Sequence, residues 1–340
     1  MCFNLNDVKS YGTPMVPGAI YSKQDSLSDA TEAAQMKKIP YCEAIGSLMY
    51  ATVATCPDIS HSVSTLSHFL DNPSMTHWEA VKCIFHYLAG TWEFTLTYGT
   101  ECHNLISYTD ANGAMEEHRH AISGYAFIID GGAVSWYSCK QELVTLSTAE
   151  AEYVAAMHVA KEAIWLHWLI HQFFPLPTLP TTIFCNNQAA IKLAYDDNYH
   201  AHTKHINIRY HFIRQVVSEG IILLVYCPTE DMAADFLIKS LPKWKVLTHA
   251  CTLGLCCVWG GVLVFPCTAV SALAHLSAWP CPVACLVQVQ KQIFGTCELC
   301  TYNTILFVWS DYYMTDSHLS LHNGRFPFLL YHRIIVAHSK

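Results

Sequence analysis

The sequence predicts an α/β fold, a five-stranded mixed sheet with helices, behind a helical segment and ahead of an irregular tail. Three observations predict it. Residues 101–245 alternate β-rich and helical segments, residues 1–100 mix loops with helical apolar spacing, and residues 246–290 contain no Asp, Glu, Lys or Arg. These define three expected units, 1–100, 101–245 and 246–340.

In the first unit, Gly12-Thr13-Pro14 and Pro17-Gly18 mark an irregular entry, and Asp25 to Lys38 is polar enough for an exposed linker. Tyr41 to Val53 places Ile45, Leu48 and Met49 on one helical face, and Pro57-Asp58-Ile59 opens a second run with Val63, Leu66 and Phe69-Leu70. Thr76 to Leu88 is a third helix. This cluster carries no catalytic constellation of its own and reads as a packing module.

In the second unit, Leu105 to Tyr108 is a strand ending at Thr109-Asp110, and Gly124 to Ile129 and Ala133 to Tyr137 form a hairpin around Gly131-Gly132. A long amphipathic helix follows from Ser147, with Tyr153, Ala156, Ala160, Ala163, Ile164 and Leu169 at helical spacing and Ser147 or Thr148 as cap. Pro175, Pro177 and Pro180 end it. Thr181 to Cys185 is a strand, residues 187–195 a short helix, residues 203–219 a basic helix ending at Gly220, Ile221 to Tyr226 a fifth strand, and a last short helix closes the unit.

Composition bounds the function classes. A chain of 340 residues that is 52% apolar is long enough for two modest cores, which argues against intrinsic disorder. The formal charge of −8, with 5 Arg, 14 Lys and 20 His, is a poor balance for holding a polyphosphate and by itself argues against nucleic acid. Sixteen cysteines follow a start, MCFNLNDVKS, that lacks a signal peptide's charged end and apolar run, so reduced thiols and an intracellular, non-secreted protein are expected.

Asp110, Glu152, Asn186 and Asp235 stand where strands end or helices face the sheet. On spacing alone such residues are more often caps or turn residues than a shared site. The strings around them say more. YTDAN (108–112), SGYAFIIDGGAVSWYS (123–138), LSTAEAEYVA (146–155), IFCNNQAAIKLA (183–194), HAHTKHINIRYHFIR (200–214) and CPTEDMAADFLIKSLP (227–242) resemble, in order, the ribonuclease H domain of copia-type (Ty1/copia) retrotransposon Pol polyproteins. GTPMVPG (12–18), IPYCEAIGSLMY (39–50), CPDISHSVSTLSHFL (56–70) and HWEAVKCIFHYLAGT (77–91) resemble the thumb and connection at the end of that polyprotein's reverse transcriptase. The resemblance covers about residues 1–255.

It implies a ribonuclease H-like fold that cleaves RNA in RNA–DNA hybrids with two Mg²⁺ ions, or Mn²⁺, held by four acidic side chains. Asp110, Glu152 and Asp235 match three of those acids. Asn186 stands where the family has its third aspartate, which implies impaired or absent activity; an inactive module binding nucleic acid or reverse transcriptase is the alternative. Lys192, Lys204, Arg209 and Arg214 are the expected contacts to the hybrid's phosphates, with Trp136, Tyr153 and Tyr210 as sugar or base neighbours; the alternative is a solvated helix face plus core aromatics. The implied partners are the hybrid and the element's own proteins, in a cytoplasmic particle or the nucleus, with no membrane.

Cys42, Cys56, His68, Cys83, His86, His167, Trp168 and His202 occupy positions where the family tends to carry arginine. One C-to-T mutational process on either strand accounts for all of them and for Asn186. In the tail, Cys251 to Ala274 is long enough to span a bilayer but is interrupted by Gly254, Gly260, Gly261 and Pro266, and Cys281, Cys285, Cys297 and Cys300 have the pairing of a zinc site. The simpler expectation is translation past the element's end.

Overall fold

The computed structural model describes residues 9–22, 25–26, 30–99, 104–112, 120–145, 147–173, 180–195, 207–259, 262–264 and 336–337, with the backbone alone at 30, 173, 207–211, 258–259, 262–264 and 336–337. In chain order the elements are α1 (Ala30–Met36), α2 (Tyr41–Ala54), α3 (Ser60–Ser67), α4 (Met75–Gly90), β1 (Phe94–Tyr98), β2 (Ile106–Asn112), β3 (His120–Ile129), β4 (Gly132–Val144), α5 (Thr148–Phe173), β5 (Thr181–Cys185), α6 (Gln188–Tyr195), α7 (Asn207–Ser218), β6 (Ile222–Tyr226), α8 (Lys243–Thr252), β7 (Leu255–Trp259), β8 (Val262–Val264) and β9 (Val336–Ala337).

The main sheet has five strands in the order β4-β3-β2-β5-β6. β2 and β3 run antiparallel, as do β3 and β4, while β2, β5 and β6 are mutually parallel. Alternation along β3 assigns its two faces. Phe127 packs with Tyr153, Ala156, Ile183 and Ile213 under α5 and α7. Ala126 and Ile128 instead join a core with Ile45, Leu48, Leu66 and Ile84 of the preceding helices. The helical segment and the sheet therefore share one apolar core.

Within that segment Tyr41 Oη donates to Leu66 O at 2.9 Å, tying α2 to α3, and Tyr87 Oη donates to Asp58 Oδ2 at 2.7 Å. The N-terminus of α4 is capped by Ser74, whose own N–H donates to His77 Nδ1 at 3.0 Å. Two expectations change here. The stretch expected as an exposed linker contains α1, whose alanines favour helix and whose Met36 is buried. β1, where no strand was expected although Phe94, Leu96 and Tyr98 alternate with threonines, pairs antiparallel with β7, Phe94 opposite Cys257.

The hairpin loop is Asp130-Gly131 rather than Gly131-Gly132: φ is 51° at Asp130 and 84° at Gly131, and Ile129 pairs with Gly132. Two successive positive φ values make the tight turn whose twist suits flanking strands, and Asp tolerates the first of them. α7 is described over Asn207–Ser218, and its expected start at residue 203 lies outside the described residues.

The described fold also runs past residue 245. In α8 and the start of β7, Val246, Ala250, Leu253 and Leu255 belong to the shared core. Gly254 turns the chain between them at φ 80°, where a Cβ would stand 2.5 Å from Gly131 O. Cys281, Cys285, Cys297 and Cys300 lie outside the described residues. Among the described residues no helix is long and apolar enough to cross a membrane, and nine cysteines are free thiols.

Candidate active site

The parallel pairing of β2 with β5 brings their C-terminal ends side by side, Thr109 opposite Cys185. The next residue of each strand's path is therefore Asp110 beside Asn186. Asp110 Oδ1 accepts from Asn186 Nδ2 at 3.1 Å and from the Ala111 N–H at 2.8 Å. Glu152 comes from the first turns of α5, whose start is capped by Ser147 Oγ accepting from the Glu150 N–H at 3.2 Å. Asp235 comes from a 3-10 turn, Ala233–Leu237, packed on β2 and β3, where the sequence suggested a closing helix.

All three carboxylates are buried: Asp110 is 2% exposed, Glu152 5% and Asp235 0%. Burial holds the Asp110 carboxyl well above the usual range, with nearby Asp235 adding to the rise and Glu152 and Lys239 opposing it. Burial likewise pushes Glu152 up, helped by the charge of Asp110 and opposed by the Ala111 N–H and Lys239. No hydrogen bond of ordinary geometry joins these carboxylates to one another. Asp110 Oδ2, Glu152 Oε2 and both oxygens of Asp235 are buried without a hydrogen-bond partner. Lys239 Nζ stands 2.6 Å from Asp235 Oδ1, an ion pair bent away from hydrogen-bond geometry.

Removing the Lys239 charge is expected to raise the Asp110 titration further, because its ammonium favours the ionised form. Carboxyl carbon chemical shifts of Lys239→Met across pH would check this; an unmoved or lowered Asp110 midpoint would contradict it.

Two further residues hold the site, and the sequence signalled neither. Gln141 of β4 is buried and donates through Nε2 to Ser123 Oγ at 2.7 Å and to Ala151 O at 2.9 Å, fastening the turn of α5 next to Glu152. Gly124 pairs with Asp110 across the sheet. A Cβ there would lie 2.7 Å from Ile238 Cγ2 and 2.8 Å from Leu237 Cβ, so only glycine lets the Asp235 turn seat. Gly124→Ala is expected to cost about 1–3 kcal/mol by overpacking, read as a lower denaturant midpoint at unchanged slope.

Of the expected phosphate contacts, Lys192 is exposed on α6, and Arg214 Nε donates to Leu193 O at 3.2 Å, joining α7 to α6. Arg209 lies in α7 where only the backbone is described, and Lys204 lies outside the described residues. Two of the aromatic residues follow the alternative and pack inside. Tyr153 is in the core under α5, and Trp136 Nε1 donates to Thr52 O at 2.7 Å.

The donors assembled at the site are hard oxygens, three carboxylates with unpartnered atoms and one amide, which is the set a cation such as Mg²⁺ or Mn²⁺ takes. As they stand, among the described residues, no three His, Cys, Asp or Glu side chains form a ready metal cage. Asp110 is the common neighbour of the others.

Sheet order, crossing helices and an acidic cluster at the ends of β2 and β5 define a ribonuclease H-like domain behind a helical segment. The chain is 42% identical over 244 residues to the Retrovirus-related Pol polyprotein from transposon TNT 1-94 of Nicotiana tabacum, covering 72% of this chain and 18% of that one. It is 34% identical over 258 residues to the transposon RE1 polyprotein of Arabidopsis thaliana, covering 74% and 17%. A shorter relative, Secreted RxLR effector protein 161 of Plasmopara viticola, is 43% identical over 135 residues, 38% of this chain and 94% of its own. Among solved structures, LC11-RNase H1 in complex with RNA/DNA hybrid matches at 17% identity and a TM-score of 0.30, over 40% of this chain and 94% of its own. No family model matches. The chain belongs to the copia-type retrotransposon Pol polyproteins, and spans under a fifth of the length of the TNT 1-94 and RE1 polyproteins.

Proposed function

We propose that Asp110, Glu152, Asn186 and Asp235 form a divalent-cation site that hydrolyses the RNA strand of RNA–DNA hybrids, and that Asn186 impairs it. Residues 101–245 would be the ribonuclease H-like unit, residues 1–100 the end of a reverse transcriptase, and most of 246–340 unrelated read-through. The observation that carries the reading is the Asn186–Asp110 hydrogen bond beside two further buried carboxylates, each with at least one oxygen lacking a hydrogen-bond partner.

Bound there, one or two Mg²⁺ ions would supply Lewis-acid stabilisation of the attacking and leaving oxygens. The side chains have their own tasks. Asp110 would hold the cation, with Glu152 and Asp235 as further ligands. Burial raises the proton affinity of Asp110 and Glu152, so a cation must displace protons to bind, and binding strengthens as pH rises. Asn186 works against this. Its amide donates to Asp110 Oδ1, engaging a lone pair that a cation needs, and brings no negative charge.

Lys192 and Arg214 lie on neighbouring helices, α6 and α7, and would bear on the hybrid's phosphates, with Lys204 and Arg209 as further contacts. Such contacts read backbone and 2′-hydroxyls rather than base edges. The setting would be inside the cell, with the hybrid and other proteins of the element as partners.

The test is cleavage of end-labelled RNA in a hybrid by the whole chain, which is preferable to residues 101–245 because the helical segment shares the sheet's core. Weak cleavage in Mg²⁺ or Mn²⁺ that Asp110→Asn abolishes is expected; equal cleavage by wild type and Asp110→Asn would refute the assignment. The engaged amide also favours a second reading, a binding module without turnover. That module would show salt-dependent hybrid affinity and no cleavage even as Asn186→Asp.

A further inference from the structure

Far along α5 from Glu152 lies a second cluster of ligating atoms. His167 and His171 are one helical turn apart, so their side chains lie on the same face. Their Nε2 atoms are 2.9 Å apart, with ring centroids 4.6 Å apart and planes tilted by 57°. Both rings are half-buried, and the positions beside and before His167 are the exposed Trp168 and Trp165. Along the axis this pair is roughly 22 Å from Glu152, at 1.5 Å per residue.

Two imidazole nitrogens meeting tip to tip can share a proton or chelate a metal, and the spacing shows how far they would have to move to chelate. With metal–nitrogen bonds of about 2.0–2.1 Å, two ligands at a right angle have nitrogens about 2.9 Å apart, whereas tetrahedral ligands stand about 3.3 Å apart. The hydrogen-bonded separation of 2.9 Å is close to the right-angled edge, so that geometry needs the least movement of the two rings. Such an edge belongs to tetragonal or octahedral sites, which Cu²⁺ and Ni²⁺ favour when nitrogen donors are offered.

We propose that His167 and His171 form a two-histidine site for a borderline divalent transition metal of the Ni²⁺ or Cu²⁺ type, separate from the carboxylate site. In the metal-free pair one Nε2 carries the proton it shares with the other. On binding, that ring shifts to its Nδ1–H tautomer, both Nε2 lone pairs face the cation, and no net proton is released. Water completes the remaining coordination positions. Mg²⁺, which prefers oxygen ligands, should not compete here, so this site and the carboxylate site separate by metal as well as by place.

The test is calorimetric titration of the whole chain, thiols kept reduced, with Ni²⁺ alone and then with a large excess of Mg²⁺. Thiols elsewhere bind Ni²⁺ too, so the informative quantity is the difference between wild type and His167→Gln or His171→Gln. Each variant should lose one Ni²⁺ equivalent or weaken it by at least about tenfold, since losing one ligand removes the chelate's effective concentration, and excess Mg²⁺ should leave the wild-type affinity unchanged. Trp168→Phe should bind as wild type does. Should either glutamine variant fail to fold, substoichiometric Ni²⁺ added to wild type should broaden two imidazole side-chain resonances before any others. Identical stoichiometry and affinity in wild type and both variants, or no early broadening, overturns the site.

Discussion

Asn186→Asp should raise Mg²⁺-dependent cleavage of a hybrid by about a hundredfold, equivalent to about 2.7 kcal/mol of transition-state stabilisation. The reason is the atom now facing Asp110. Asn186 donates its Nδ2 to Asp110 Oδ1 at 3.1 Å, an arrangement that satisfies Asp110 without a cation. A carboxylate at that position has no proton to donate at neutral pH. It would face Asp110 with like charge, in a pocket where Glu152 and Asp235 already have unpartnered oxygens. Without metal the variant should therefore be less stable than wild type, and less so at higher pH. With metal the balance reverses, because each carboxylate gains a cation and ligand binding adds RT ln(1 + [L]/Kd) to stability. Two readouts follow, and only one needs turnover. The unfolding midpoint should rise more steeply with Mg²⁺ in Asn186→Asp than in wild type, and the cleavage rate should rise with it. A variant whose midpoint ignores Mg²⁺ and whose rate equals wild type would remove the metal site from consideration.

The route to that site shows what the sequence could carry. The ordered motifs singled out Asp110, Glu152 and Asp235, and the register of β2 on β5 accounts for Asp110 and Asn186 meeting. Spacing alone gave no such pairing, since the four positions are scattered over more than a hundred residues. Gln141 and Lys239 were illegible because their roles are contacts: a buried amide bridging Ser123 to Ala151, and an ammonium beside Asp235. β1 went unread although Phe94, Leu96 and Tyr98 alternate with Thr95 and Thr97, because five residues are a short signal and its partner, β7, lies about 160 residues away. The start of the charge-free stretch was read as tail for a similar reason. Val246 and Ala250 mark one face of α8, but the uniform apolarity that follows hid that periodicity. Tyr153 was offered to the nucleic acid on its residue type, and the alternation of α5 sends it into the core.

A second large effect should appear on acidification. His61 in α3 is buried with Nδ1 unpartnered, and burial pulls its pKa down to about 4; Asp58 and Lys239 line the same small cavity. His249 in α8 is likewise buried with Nε2 unpartnered and lowered to about 4 by burial, which the nearby Asp235 partly offsets. Both rings are neutral when folded and would take a proton near pH 6.5 when unfolded. The stability each contributes is therefore present above about pH 6.5 and is lost as pH falls towards 4, because the unfolded chain binds the extra proton. A shift of about 2.5 pH units corresponds to about 3 kcal/mol for each histidine, at 1.36 kcal/mol per unit. That is a large share of a typical domain's 5–15 kcal/mol. Asp110 and Glu152 act in the opposite sense: their raised folded pKa values give stability that is present in acid and lost as pH rises. A raw stability curve mixes the two, so the histidine part must be taken as a difference. His61→Leu keeps an apolar side chain of similar volume and cannot take a proton. Between pH 7 and pH 4.5 the wild type should lose about 2–3 kcal/mol more than His61→Leu, measured as denaturant midpoints with a common slope. Parallel curves would mean that His61 is reached by solvent protons in the folded state, and that its burial in the helical core is not what sets its charge.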